Sequence, residues 1–514
     1  MLALFGDREK EIGVARELIV AIDQGTTGST VVLMDLNGTT LARATCEFTQ
    51  YFPAPGQVEH EPEEIWLSIV QAIEEALQKF CGSRERIAAI GIANQRETTL
   101  VWEHKTGRPV HRAIVWQDRR TAKRCAALKS YESRVKDVTG LVIDPYFSAS
   151  KLQWILQSDA SIASSARRGE LRFGTMDSYI VERLRGLPGE NEPIIEVTNA
   201  SRTLLMNLRH RKWSSEMCGI WDIPSEILPT IVSSAQWVGR TLGVPGLPDG
   251  IPITGIAGDQ HAALFGQGCI LPGDAKCTYG TGAFVLVNTG KTPVKSEFGL
   301  LSTLAWQIGD EVVYALEGSS FVAGAAVQWL RDGLGIIEHA AEIETLARGV
   351  SSSEGVSFVP ALTGLGAPHW DPEARGLISG ISRGTTKAHL ARATLEAIAF
   401  QVDDLLAAIE GDMRRSTGNG LAQLRVDGGA SKNNLLLQLQ ADISNLQVHR
   451  PQDIESTARG AGMLAAIGAR LLPGVAEAAA AFKLDKTFLP HQEDSQRKEN
   501  RDQWEQAVAR ARLH

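Results

Sequence analysis

The stretch LIVAIDQGTTGSTVVLMDL, residues 18–36, decides the fold. Its apolar burst at 18–22 reads as a strand, DQGTTG at 23–28 as a tight loop, and the apolar segment 31–36 as a second strand closed by the hairpin signal Asn37-Gly38. Strand–loop–strand is not the strand–loop–helix of a P-loop, and neither a P-loop motif nor a dinucleotide fingerprint occurs where a strand meets a helix. Small side chains at Gly25, Thr26, Thr27 and Gly28 let backbone N–H groups and two hydroxyls reach an anion. A carboxylate at the head of such a loop repels phosphate unless a cation stands between them, so Asp23 reads as a residue that orients hydrated magnesium. Taken alone, the loop is equally consistent with an ordinary hairpin.

The pattern then begins again. A strand at 276–279 leads into Gly280-Thr281-Gly282, an apolar strand at 283–287 and a turn at 288–290. Two such loops, one per domain, are placed to hold a polyphosphate between them, and the repeat puts a domain boundary near residue 270. Length agrees: 514 residues exceed the ~250–300 at which one core stops growing, so two domains around a cleft are expected.

Hydrophobic residues make up 43% and charged residues 22%, as in ordinary globular proteins, and the net charge of −8 is spread without a basic stripe, which argues against nucleic acid as a partner. No run approaches the ~20 apolar residues of a membrane span, and the charged residues within 1–17 leave no signal-peptide core, so a cytoplasmic protein is expected. Cys46, Cys81, Cys125, Cys218, Cys269 and Cys277 show no zinc-ligand spacing and read as free thiols.

Outward from the loops, residues 61–79 have helical periodicity, with Ile65, Ile69, Ile73 and Ala76 on one face and Pro62 at the start. A buried strand at 87–93 delivers Asn94-Gln95-Arg96-Glu97-Thr98-Thr99 to its end, and a strand at 253–257 delivers Gly258-Asp259-Gln260 ahead of a helix beginning near His261. Charged helices are expected through much of 117–240. A strand at 424–426 runs into Asp427-Gly428-Gly429-Ala430, followed by a helix at 433–443, and the polar tail from 491 reads as a surface or frayed helix.

Phosphoryl transfer to an alcohol needs a base at the hydroxyl. Asp259, at a strand end, fits that role or that of a helix cap; His261 reads as a packed histidine. Arg96 and Glu97 pair a forked donor with an acceptor, as a vicinal diol requires, or form an interface ion pair. Tyr146 and Trp102 are candidates for a hydroxyl contact and an apolar wall, although for each of them, and for Phe284, core packing is the simpler reading. Gly428-Gly429-Ala430 suits the close approach of a flat ring such as adenine, or helix packing.

At this point the chain resembles the FGGY family of carbohydrate kinases. The resemblance is carried by AIDQGTTGST at 21–30, IGIANQRETTLVWEHKTGRPVHRAIVWQDRR at 90–120, TNASRTLLMN at 198–207, GIAGDQHAALFGQ at 255–267, YGTGAFVLVNTG at 279–290 and LRVDGGASKNN at 424–434, and it runs over nearly the whole chain. It implies an α/β fold of two actin-like, ribonuclease H-like ATPase domains with mixed sheets around a cleft: an extension at 1–17, then domains at 18–270 and 271–514. It implies ATP and Mg2+ as cofactors and ATP-dependent phosphorylation of glycerol to sn-glycerol 3-phosphate. By the resemblance, Asp259 is the base; Arg96, Glu97, Trp102, Tyr146, Asp259, Gln260 and Phe284 hold the polyol; Thr26, Thr27, Gly28, Thr281, Gly324, Gln328, Gly429 and Asn433 hold the nucleotide; and Asp23 and Asp259 serve the metal. A homodimer or homotetramer is implied as well. The competing readings are a kinase for erythritol, dihydroxyacetone or xylulose, and a catalytically weak ATP-binding scaffold. Two features depart from the family pattern. Thr30 stands where an arginine is usual, and TLGVPGLPDG at 241–250 lacks both the loop that binds fructose 1,6-bisphosphate and the phosphorylated loop histidine of some bacterial relatives.

Overall fold

The computed structural model describes residues 16–513; most of the expected N-terminal extension lies outside the described residues. The first sheet has six strands, β1 (Leu18–Gln24), β2 (Gly28–Met34), β3 (Thr40–Glu47), β4 (Ile87–Asn94), β5 (Ala235–Arg240) and β6 (Pro252–Gly258), in the order β5-β6-β4-β1-β2-β3. The second has seven, β7 (Asp274–Tyr279), β8 (Ala283–Gly290), β9 (Leu301–Ile308), β10 (Glu311–Ser320), β11 (Gln423–Asp427), β12 (Val448–Pro451) and β13 (Leu484–Phe488), in the order β9-β10-β8-β7-β11-β12-β13.

Both sheets are mixed and share one plan. An opening hairpin, β1–β2 or β7–β8, lies antiparallel; its first strand pairs in parallel with a later one, β4 or β11; and an antiparallel strand, β5 or β13, closes the far edge. The parallel strands are covered on both faces, so β1 and β4 read as nearly unbroken apolar runs. β3, at the sheet edge, instead alternates buried and exposed residues. The carboxyl ends of the parallel strands open toward the crevice between the sheets, where ligands sit in open α/β folds.

The helices that matter for the site are α1 (Pro62–Phe80), α2 (Ser148–Ser158), α3 (Val197–Ala200), α4 (Asp259–Gly266), α5 (Gly324–Asp332), α6 (Lys387–Thr417), α7 (Asn434–Ser444), α8 (Ser456–Gly468) and α9 (Asp494–Ala511). α1 buries the expected Ile65, Ile69, Ile73 and Ala76 and ends on Cys81 in the left-handed conformation. Between 117 and 240 helices form as expected at 122–127, 132–139, 148–158, 160–167 and 176–185, none longer than the 11 residues of α2, with short strands interspersed from 171 onward. The polar tail is anchored: in α9, Trp504 stacks on Phe400 with ring centroids 5.3 Å apart and donates its indole N–H to Asp404 at 3.0 Å. Among the described residues, no helix is long and apolar enough to cross a membrane.

α8 returns from the second sheet to cover the first, packing across β1, β4 and β6. Its approach is backbone on backbone, because a Cβ at Gly91 in β4 would collide with the Ala461 carbonyl and one at Gly255 in β6 with the Ala465 amide. Gly91→Ala is therefore expected to cost about 1–3 kcal/mol by overpacking, read as a lower melting temperature. An unchanged melt would show that α8 can retreat without loss.

Candidate functional site

Arg96 and Glu97 leave the end of β4 but do not reach water: their side chains are each only 2% exposed. Arg96 donates from both terminal nitrogens to Glu317 of β10, at 2.6 and 2.8 Å, and from Nη2 to the Tyr146 hydroxyl at 3.4 Å. Its Nε lies 3.2 Å from Asp259 Oδ1. Arg202 donates from Nε to Glu97 at 2.6 Å and from Nη2 to Glu317 at 3.2 Å. Two guanidiniums thus face two glutamates in a buried square that spans both sheets. Burial opposes ionisation of Glu317, but Arg202 and Arg96 outweigh it and hold its carboxyl well below the usual range. Burial raises Glu97 despite the same two arginines. Glu97 also has φ of 60°, the left-handed region that disfavours a side chain and costs on the order of 1–3 kcal/mol, a strain that collects at functional sites.

Asp259 opens α4 and is the acid of this cluster that faces the cleft, with 27% of its side chain exposed. Oδ1 accepts the Gln260 amide at 2.6 Å, so the carboxylate, itself on the first residue of the helix, is turned back on the next amide of its own backbone, and the N-cap residue Gly258 supplies no side-chain cap. Gly258 lets this happen: a Cβ there would fall 2.7 Å from Arg96 Cγ. His261 is buried, its Nε2 3.4 Å from Thr303 Oγ1, and burial holds its pKa far below the ordinary value. It stays neutral at physiological pH and stands away from the cleft. Burial likewise pushes the Tyr146 phenol up, which keeps its proton for hydrogen bonding.

The apolar wall comes from Trp116. Its ring meets Tyr146 edge-on at 5.7 Å and Phe284 at 6.4 Å, and its indole N–H donates to Thr26 Oγ1 at 3.0 Å. Trp102 is elsewhere. It is 1% exposed in the core of the first domain and packs edge-on against Tyr179 at 5.9 Å. Trp102, expected at the polyol wall, thus lies in the core, and it is Trp116 that stands beside Tyr146 and Phe284.

Both glycine/threonine loops are closed by a glycine-to-glycine backbone bond, spanning four residues in the first and three in the second. Gly25 N–H bonds Gly28 O at 2.9 Å in the first, and Gly280 N–H bonds Gly282 O at 2.9 Å in the second. Thr27 and Thr281 are exposed at the loop tips. The second loop is braced on the start of α5, where Gly324 and Ala325 donate to Gly280 O and Thr281 O, both at 3.0 Å; a Cβ at Gly324 would lie 2.6 Å from Gly280 O. Gln328 is exposed one turn along α5. Gly429 has open space where a Cβ would be, whereas Asn433 spends its side-chain oxygen capping α7 through Leu436 N at 2.9 Å.

Burial raises the Asp23 carboxyl well above its usual range, and the nearby charges of Asp259, Glu455 and Asp427 add to it. Both carboxylate oxygens of Asp427 are buried without a hydrogen-bond partner. Buried carboxylates that repel one another beside a phosphate-sized loop are the hard-oxygen donors that Mg2+ takes, so the residues fit that ion. Lys276, also buried, donates to Thr278 Oγ1 at 2.9 Å and to Gln260 Oε1, and feels the charges of Asp427 and Asp259. Thr30 places only a neutral hydroxyl at its position, bonded to Thr45 at 2.9 Å.

The structure therefore gathers Arg96, Tyr146, Asp259 and Glu97 into one cluster, with Gln260 next to Asp259, and Trp116 links Tyr146 and Phe284 to Thr26 of the first loop. Trp116, Arg202, Lys276, Glu317 and Asp427 are the residues that sequence reading passed over. Two of them carried a visible signal, since Glu317 is a lone charge inside the strand YALEGSS and Lys276 a cation inside the buried strand DAKCTY.

Comparison with known proteins is consistent along the chain. The N-terminal domain of the FGGY family of carbohydrate kinases matches residues 18–266, and the C-terminal domain of that family matches 275–469. The chain is 50% identical over 498 residues to a glycerol kinase of Myxococcus xanthus, covering 96% of this chain and 99% of that one. It is 51% identical over 496 residues to a glycerol kinase of Citrifermentans bemidjiense, covering 96% and 98%. Among solved structures, a Plasmodium falciparum glycerol kinase with ADP superposes with a TM-score of 0.90 at 33% identity, covering 97% of this chain and 99% of that one.

Proposed function

The chain belongs to the FGGY family of carbohydrate kinases, and from that premise we propose that it transfers the γ-phosphoryl group of ATP to glycerol, giving sn-glycerol 3-phosphate and ADP. Relatives at about half identity over nearly full length carry that activity in their names. The observation that supports it most within the site is the setting of Asp259: a cleft-facing carboxylate 3.2 Å from a buried arginine that also meets a tyrosine hydroxyl.

Arg96, Glu97 and Tyr146 bind the hydroxyls of the polyol, with Trp116 and Phe284 against its carbons. Asp259 accepts the proton of the terminal hydroxyl as its oxygen attacks phosphorus and the bond to the ADP oxygen breaks. The amides and hydroxyls of the two loops, at Thr26, Thr27, Gly28 and Thr281, receive the phosphates, while Gly324, Gln328, Gly429 and Asn433 line the nucleotide. Asp23, Asp259 and Asp427 would hold Mg2+, whose chemistry here is to neutralise phosphate charge. Lys276 supplies the buried positive charge that Thr30 does not. Closure of the cleft excludes water, which otherwise competes with the alcohol. The same reading places the enzyme in the cytoplasm, in keeping with its free thiols, as a homodimer or homotetramer of two-domain chains divided near residue 270.

A coupled ADP-release assay with glycerol, erythritol, dihydroxyacetone and xylulose tests the assignment. Glycerol is expected to give the highest kcat/KM, because the Trp116–Tyr146–Phe284 wall suits a three-carbon chain. A higher value for another member of the panel would reassign the substrate, and no turnover on any of them would favour an ATP-binding scaffold.

A further inference from the structure

Residues 196–203, EVTNASRT, join the two domains of chemistry without touching the cleft. Six polar side chains, those of Glu196, Thr198, Asn199, Ser201, Arg202 and Thr203, are each at most 1% exposed. Buried polar groups of this density are costly unless each is satisfied, and here several bonds lead to a strand or residue that carries the site. Thr198 Oγ1 accepts the Gly258 N–H at 2.9 Å, directly before Asp259. Asn199 and Asn94 exchange side-chain amide bonds at 2.9 and 3.0 Å at the end of β4, two residues before Arg96. Ser201 bonds Thr303 at 2.9 Å, and Arg202 reaches Glu97 and Glu317.

Glu196 stands at the root. Its Oε2 accepts from the Thr198 hydroxyl at 2.5 Å and from the Thr198 and Asn199 amides at 2.9 and 3.2 Å, and its Oε1 accepts from Ser234 at 2.6 Å. A hydroxyl has one proton. With that proton given to Glu196, the Thr198 oxygen is committed as the acceptor for Gly258, so the carboxylate fixes the direction of the relay.

We infer that Thr198, oriented by Glu196, is a positioning residue for Asp259: it holds the Ala257–Gly258 peptide, one residue ahead of Asp259, in the orientation from which the chain turns the carboxylate into the cleft. The inference rests on the reading of Asp259 as the base. A displacement of about 1 Å at a reacting group costs on the order of 10²-fold in rate, and first contacts are held to that tolerance by their supports.

The test is steady-state kinetics on the full-length enzyme with glycerol and Mg-ATP. Thr198→Val keeps the shape and loses the acceptor; kcat is expected to fall about 10–100-fold with both KM values within about twofold. Thr198→Ser, which restores the hydroxyl, recovers most of the lost kcat. In an Asp259→Asn background Thr198→Val has little further effect, since the group being positioned is gone. A merely structural role would instead lower the melting temperature and move both KM values, or act equally in both backgrounds, and either result overturns the inference, as does wild-type kcat in Thr198→Val. Should Thr198→Val not fold, Ser234→Ala removes the donor to Glu196 Oε1, along with the acceptor of the Gln307 amide away from the relay, and the inference requires a smaller fall confined to kcat. An inactive wild type would strike the proposed function and not this relay, whereas an active Asp259→Asn would strike the reading of Asp259 as the base and this inference with it.

Discussion

Asp259→Asn is expected to lower kcat by about 10²–10⁴-fold while leaving a folded chain that still binds nucleotide. The amide is isosteric, and its oxygen still accepts from Gln260 N–H, so the hydrogen bond that orients residue 259 survives while the ion pair with Arg96 loses its negative charge. What disappears is the ability to take a proton. No competing base stands ready: His261 is buried against Thr303, and burial keeps Tyr146 protonated. Glu97 and Glu317 are both committed to arginines inside the core. Nucleotide contact is expected at the two loops and α5, which Asp259 does not support. The coupled assay measures the loss, and an ADP titration by calorimetry measures retention of binding. A kcat within about tenfold of wild type would remove Asp259 from the role of base.

The fold was legible because its deciding signal is repeated. One glycine/threonine loop between two apolar runs is ambiguous, but the second at Gly280-Thr281-Gly282 is not independent of the first, and the two sheets share the opening hairpin that both sequences announce. Asp259 and Arg96-Glu97 were legible for a related reason, since charges placed at the ends of apolar strands have to leave the sheet. Trp102 and Trp116 mark where that reasoning runs out. Both follow apolar segments, yet Trp102 sits within a strand whose face is covered by Tyr179, whereas Trp116 lies on irregular backbone after Ile114. Periodicity cannot orient a residue on irregular backbone. Arg202 and Glu317 were missed because their partners are more than 100 positions away along the chain, and pairing at such a distance is a property of the assembled cleft.

The same distant pairing underlies the second large effect. Glu317→Ala is expected to destabilise the protein by about 3–5 kcal/mol, the cost of breaking a buried ion pair from one side. Arg96 and Arg202 have side chains 2% and 0% exposed, and Glu317 accepts from both. Without it, two buried guanidiniums share the carboxylate of Glu97, and Arg96 keeps Asp259 at 3.2 Å as its nearer acidic neighbour, Glu97 standing 3.9 Å away. The freed fork then swings toward Asp259, ties up the carboxylate and withdraws from the polyol. Stability and chemistry fall together: a lower melting temperature, and kcat/KM for glycerol down by about 10–100-fold. Glu317→Gln separates the two. Its amide keeps the shape and one acceptor, so it retains more of the melt than alanine does, but it cannot neutralise two arginines, so the loss in kcat/KM persists. Because Glu317 belongs to β10 and both arginines to the first domain, the pair also fixes how the domains meet at the floor of the cleft. An alanine variant with wild-type melting and wild-type kcat/KM would show that the buried square is dispensable and that Asp259 keeps its aim by other means.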